Sequence, residues 1–212
     1  MSGSDAAVPS DSYDSGPATV AAGDSWMVGF ATDEVLLPEP LVSRAAAALS
    51  DLQRRHWTVA TAESVTGGLV CAALVEVPGA SASVAGGVVA YETTVKSSVL
   101  GVPRALLEEK GPVHSTTAAA MARHARLLLG SDVGIATTGV AGPQTHGGAP
   151  VGRVFVAVDA RGGRAKVRRI DVPGSRSEIR RAAAEEALDL LQWAAQLGPR
   201  GSRADPIERD RE

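Results

Sequence analysis

The stretch TAESVTGG, residues 61–68, decides how this chain is read. Val59 to Ala62 are small or β-branched and predict the end of a buried strand. Leu69-Val70-Cys71-Ala72-Ala73-Leu74 predicts an apolar helix reaching about Glu76. Glu63, Ser64 and then Thr66-Gly67-Gly68 lie between them. A strand, a tight polar turn and a helix place Ser64 at the mouth of a sheet. The free N–H groups of a helix start then lie beside it, where they attract anions and stabilise an oxyanion. A plainer reading is a Ser/Thr helix cap with glycines easing the turn. The turn alone does not separate the two.

Working outward, apolar residues upstream recur at Leu41, Ala45, Ala48, Leu49 and Leu52, one face of a helix reaching about Arg55. Pro38 and Pro40 are expected to end any regularity before it. Residues 1–40 read as a mostly disordered tail, in which Trp26 to Leu37 either docks on the domain or stays loose. Downstream, Val77 to Ser81 is a loop, and Val84–Tyr91 a second strand whose Gly86-Gly87 marks a bulge or a close backbone approach. Thr93–Leu100 and Arg104–Lys110 predict two short helices. Ser115 is expected to cap a long one, Thr116–Leu129. Strand Val133–Thr137 runs into Thr138-Gly139-Val140-Ala141-Gly142-Pro143, a second glycine-bearing turn. Gly152–Asp159 and Ala165–Val172 alternate around Gly162-Gly163 as a hairpin. Ser175 and Glu178 have the spacing of a capping box for a last helix reaching about Leu197, before a charged, disordered tail over 198–212. Strands separated by helices, with a late hairpin, predict an α/β domain over 41–197. It is a three-layer α/β/α sandwich on a mixed, largely parallel sheet with a late antiparallel hairpin.

The totals exclude several classes of function. The 212 residues carry a net charge of −3, which argues against a protein built to coat nucleic acid. The single cysteine, Cys71, forbids an internal disulfide and a cysteine metal cluster. No apolar run approaches the roughly 20 residues that span a bilayer, and the N-terminus lacks the basic patch and apolar core of a signal peptide. A cytoplasmic protein with no membrane partner is expected.

Three turns at strand ends could build a site. The first offers Ser64, Thr66, Gly67 and Gly68. The second offers Tyr91, Glu92 and Lys96. The third offers Thr138, Gly139 and Gly142. Serine is a poor nucleophile without a neighbouring base. His56, His114, His124 and His146 are scattered and read as surface or capping residues. A lysine serves as a base when burial lowers its pKa. Lys96 is the candidate, as the only lysine between residues 1 and 109, although a solvated surface lysine is the plain alternative.

TAESVTGG, GGVVAYETTVKSSVLGV, GPVHS, IATTGVAGP, PVGRVFVAV and GSRSEIR, in that order, resemble the C-terminal domain of the competence/damage-inducible CinA family. The resemblance implies a nicotinamide mononucleotide amidohydrolase of pyridine nucleotide salvage, using a serine and a lysine with no metal and no cofactor. By motif position Ser64 is the nucleophile, Lys96 its base and Tyr91 the tyrosine of the lysine motif. Tyr91 keeps two possible roles, orienting Lys96 or stacking on the pyridine. On this reading Thr66, Gly67 and Gly68 hold the oxyanion. The turn with Thr138, Gly139 and Gly142 holds the 5′-phosphate, helped by Arg176 or Arg180. The resemblance also implies a small-molecule nucleotide as partner and a homo-oligomer, dimer or higher.

The chain departs from the family pattern at Val65, where a cysteine is usual, and at Gln144-Thr145-His146-Gly147-Gly148, where an acid- and glycine-rich segment is usual. Forty mostly polar residues do not replace the N-terminal domain of longer members, so its dinucleotide pyrophosphatase activity is not expected. Two rivals stand beside the deamidase: a non-catalytic regulatory or ligand-binding module, and a serine–lysine amidase for another small amide.

Overall fold

The structure, a computed structural model, describes residues 37–197. The expectations for residues 1–36 and 198–212 lie outside the described residues. A five-stranded sheet has the order β2-β1-β3-β4-β5, formed by β1 (Val59–Glu63), β2 (Val84–Val89), β3 (Val133–Gly139), β4 (Arg153–Ala160) and β5 (Arg164–Asp171). β1 runs parallel to β2 and to β3. β4 is antiparallel to both β3 and β5, which makes the sheet mixed, as expected. The two inner parallel strands are buried on both faces, and β2 and β5 are the edges.

The alternation of side chains gives the two faces different characters. Val59, Val133, Ile135, Val154, Val156 and Val158 point to one side. There they meet α1 (Glu39–Gln53), α2 (Leu69–Val75) and α6 (Arg176–Gln196). Ala60, Ala62, Ala136 and Ala157 point to the other, against α4 (Arg104–Lys110) and α5 (Ser115–Leu128). With so little side chain on that face, α5 lies very close. A Cβ at Gly134 would stand 1.9 Å from the Ala122 carbonyl oxygen, so only glycine fits there.

Some boundaries differ from the sequence expectation for local reasons. Pro40 does not break the chain but sits in the first turn of α1, where its missing N–H costs nothing. The domain accordingly begins before residue 41, and Leu37 packs against the core. Ser115 is the first residue of α5 rather than its cap. His114 is the cap, its Nδ1 accepting from the Thr116 N–H at 3.2 Å. Gly87 is the close approach anticipated in β2, since a Cβ there would overlap Thr61 Oγ1 and crowd Cys71. The register shift falls one residue earlier, between the Val59–Val84 and Ala60–Gly86 pairs. Ser175 and Glu178 form a complete capping box at the start of α6.

The chain leaves β1 for β2 on one side and returns to β3 on the other. The carboxyl ends of β1 and β3 therefore flank a switch in strand order, the usual place for a site in such a sheet.

Candidate active site

Ser64 follows the last residue of β1, and its main chain is tied to the strands on either side. Its N–H donates to the Thr137 carbonyl at 3.0 Å, while the Glu63 carbonyl accepts the Ala90 N–H at 2.8 Å. Neighbouring strand ends on both sides thus fix the Ser64 turn.

Lys96 lies on α3 (Thr93–Ser98), one turn beyond β2, and only 1% of it is exposed. Its Nζ stands 3.0 Å from Ser64 Oγ, 2.8 Å from the Ala90 carbonyl and 3.3 Å from the Tyr91 carbonyl. A neutral amine has two N–H groups and one lone pair. Two carbonyls and one hydroxyl accept the three N–H groups of the ammonium, and on loss of one proton the two carbonyls keep the N–H groups while the lone pair faces the Ser64 hydroxyl. Burial pushes the Lys96 ammonium down to about 8.

Tyr91 meets Lys96 through its carbonyl, not its ring. The ring is 59% exposed, and its Oη accepts from Arg176 at 2.9 Å. Arg176 also donates to the Gly142 carbonyl at 2.9 Å, so this first residue of α6 ties the second and third turns together. Both partners are neutral, and the guanidinium keeps its full charge at the rim.

A cavity of about 300 Å³ opens above the pair. Ser64, Lys96, Tyr91, Thr138, Gly139, Gly142 and Arg176 all line it. Thr138 Oγ1 is already committed, donating to the Pro112 carbonyl at 2.7 Å and fixing the opposite wall. His146, Gln144 and Thr145 complete the wall. No Asp or Glu lines the cavity among the described residues, although the chain as a whole is acidic.

Thr66, Gly67, Gly68 and Arg180 do not line it. Arg180 donates to the Thr66 carbonyl at 2.8 Å, bracing the turn from α6. The Gly68 N–H is taken by the buried carboxylate of Glu63 at 2.9 Å, which also accepts from Val70 and Cys71 at 3.1 and 2.7 Å. The start of α2 is therefore filled from within. The oxyanion expectation fails at Gly68 because its donor is spent. Val65, the residue after Ser64, is on the cavity wall, and its N–H meets no acceptor among the described residues.

Glu63 and Val65 are the residues that sequence reasoning passed over. An acid closing an otherwise apolar strand was the available signal for Glu63, because a buried charge requires several donors. Val65 stood out only as a valine where a cysteine is usual, which says nothing of its N–H.

An α/β/α domain with a buried serine–lysine pair under a cationic cavity is the class that fold and site define. The family model for the CinA C-terminal domain matches residues 42–194, and the chain belongs to that family. A CinA-like protein of Frankia casuarinae is 48% identical over 141 residues, 66% of this chain and 32% of that protein. A putative competence-damage inducible protein of Geobacillus kaustophilus is 45% identical over 148 residues, 69% of this chain and 36% of that protein. The aligned region spans about a third of those relatives' length. Among solved structures, a competence/damage inducible protein from Agrobacterium tumefaciens matches with a TM-score of 0.73 at 35% identity. That match covers 77% of this chain and all of the other.

Proposed function

We propose that this chain hydrolyses the carboxamide of nicotinamide mononucleotide, giving nicotinate mononucleotide and ammonia. One observation carries the reading: Lys96, buried and without an acidic partner among the described residues, has its amine on the Ser64 hydroxyl. An amine of pKa about 8 is about one-tenth neutral at pH 7, near the value that suits a general base.

Neutral Lys96 takes the Ser64 proton as Oγ bonds to the carboxamide carbon. The carbonyl electrons move onto oxygen, and the Val65 N–H takes over the oxyanion role expected of the Thr66–Gly68 turn. As the tetrahedral centre collapses, the C–N bond breaks and Lys96 returns its proton to the nitrogen, which leaves as ammonia. Water then attacks the resulting ester with Lys96 again as base, freeing Ser64 and nicotinate mononucleotide. Lys96 serves both half-reactions without moving.

The cavity favours an anionic substrate. Arg176 stands at the rim with only neutral acceptors, and a phosphate would offer it a charge-assisted bond. The ring of Tyr91, exposed beside it, is placed to cover a heteroaromatic base. Family resemblance further supports a cytoplasmic homo-oligomer, dimer or higher.

The deciding experiment measures ammonia released from nicotinamide mononucleotide by the purified protein, with glutamine as control. Turnover lost in Ser64→Ala supports the reading. Tight binding of the mononucleotide with no ammonia from folded wild-type protein would replace it with the regulatory module. Turnover of another small amide alone would keep the dyad and change the substrate.

A further inference from the structure

Glu63 is 1% exposed and is not within hydrogen-bond distance of Lys96. The mechanism above does not use it. Its Oε1 accepts from the Cys71 N–H at 2.7 Å and from Thr61 Oγ1 at 3.3 Å. Its Oε2 accepts from the Gly68 N–H at 2.9 Å, the Val70 N–H at 3.1 Å and Thr66 Oγ1 at 2.7 Å. Five donors therefore converge on one carboxylate.

The set continues across the sheet. Thr66 Oγ1 lies 2.7 Å from Thr137 Oγ1. Because the Thr66 proton is given to Glu63, Thr137 must be the donor in that second bond. The Thr137 carbonyl in turn accepts the Ser64 N–H. A closed circuit runs from Ser64 through Glu63, Thr66 and Thr137 back to Ser64, by covalent chain on one side and hydrogen bonds on the other. Thr66 and Thr137 are both fully buried, so no solvent substitutes for a missing member.

We infer that Glu63 is a positioning residue: its carboxylate clamps the turn behind Ser64 and locks that turn to β3, so that Oγ stands at Lys96. The inference rests on the serine–lysine reading of the site. A glutamine at 63 has the same shape but one acceptor oxygen, and its NH₂ would face backbone N–H groups. With its NH₂ on the Oε1 side it opposes the Cys71 N–H, and on the Oε2 side those of Gly68 and Val70, so the turn must shift in either orientation. A misplaced nucleophile lowers the chemical step, by up to about 100-fold for a displacement near 1 Å.

The experiment reads Ser64 directly. A fluorophosphonate probe bonds to an activated serine Oγ with loss of fluoride, and mass spectrometry locates and times the label. Labelling does not require knowledge of the substrate. Wild type should label at Ser64. Glu63→Gln should label about 10- to 100-fold more slowly well below its melting temperature. The pH midpoint of labelling should stay where wild type has it, because Glu63 does not touch Lys96. Thr66→Val keeps the helix-start bonds and cuts only the circuit, so it should fold and label more slowly, and Thr66→Ser should recover the wild-type rate. Wild-type labelling rates in both Glu63→Gln and Thr66→Val would overturn the inference while leaving the dyad standing. A shifted midpoint in Glu63→Gln would also overturn it, by making Glu63 a partner of the base. No label on wild-type Ser64 would instead remove the serine–lysine reading itself.

Discussion

The turns after β1 and β3 resemble each other in sequence and behave in opposite ways. Each follows a buried parallel strand, each contains threonine and glycine, and each invites an anion on paper. After β1 the donors at the start of α2 are consumed internally by Glu63, Arg180 holds the Thr66 carbonyl, and the Val65 N–H is left facing the cavity. After β3 no helix follows directly. The backbone from Thr138 to Pro143 is laid along the cavity instead, with Arg176 on the Gly142 carbonyl. One turn aims Ser64 at Lys96 and the other shapes a wall. A glycine turn is thus a binding site only where the neighbouring side chains leave its donors unspent.

The largest expected effect falls on the first turn. Ser64→Ala should reduce ammonia release to background, and Lys96→Ala should cost about 1,000-fold or more in kcat. The double variant should be little worse than either, since the two groups act as one unit. Independent, multiplying losses would separate Ser64 from Lys96.

The second turn is sharpened by specificity. Nicotinamide riboside should be poorer than the mononucleotide by about 30- to 1,000-fold in kcat/KM, the value of about 2–4 kcal/mol of charge-assisted bonding. Arg176→Gln should damage mononucleotide turnover and leave the riboside nearly unchanged. Equal use of both compounds by wild type would take the phosphate away from this wall.

Acidity gives a smaller, graded effect. Activity should rise with pH and level off above a midpoint near 8, as Lys96 loses its proton. Stability follows the same group with a definite sign. The folded-state pKa lies below the ordinary lysine value of 10.5, so the unfolded chain binds the proton more tightly. Wild-type stability from this residue is lowest below pH 8 and recovers as pH rises from 8 towards 10.5. Lys96→Met should therefore melt higher than wild type at pH 7 while being inactive, and the gap should narrow by pH 10. A pH-independent gap in melting temperature would deny that Lys96 is buried with a depressed pKa.

The smallest effect expected is none. Exhaustive chelation should leave turnover unchanged, because the proposed steps use only Ser64, Lys96 and backbone donors. Loss of activity with recovery on added zinc or magnesium would break the mechanism at its first step.

Much of the fold was legible because the apolar pattern changes period cleanly at each junction. β1 and β3 read as continuous small or β-branched runs, and α5 and α6 as long amphipathic segments. Ser64 and Lys96 could be picked out as residue types in a suitable setting, but their 3.0 Å approach depends on where α3 docks, which no local pattern encodes. Glu63 was illegible for a related reason. Its five partners come from five residues whose convergence exists only after the turn has closed. Pro40 and Ser115 were misread because one residue of displacement decides whether a proline breaks a helix or begins it, and whether a serine or its neighbour caps.

The closeness of α5 to the sheet reaches as far as the cavity. Gly134 abuts the Ala122 carbonyl, and farther along β3 Thr138 grips the Pro112 carbonyl just before α5 starts. Pro112 and Val113 form one wall of the cavity and the β3 turn another. The width between them is set by main chain resting on main chain at Gly134 and by one short side chain, Thr138, bonded to the Pro112 carbonyl. Drift among the lining side chains, such as the Gln144–His146 departure, can then retune which molecule is accepted while the aperture keeps its gauge. A lineage can explore substrates here without rebuilding the frame that measures them.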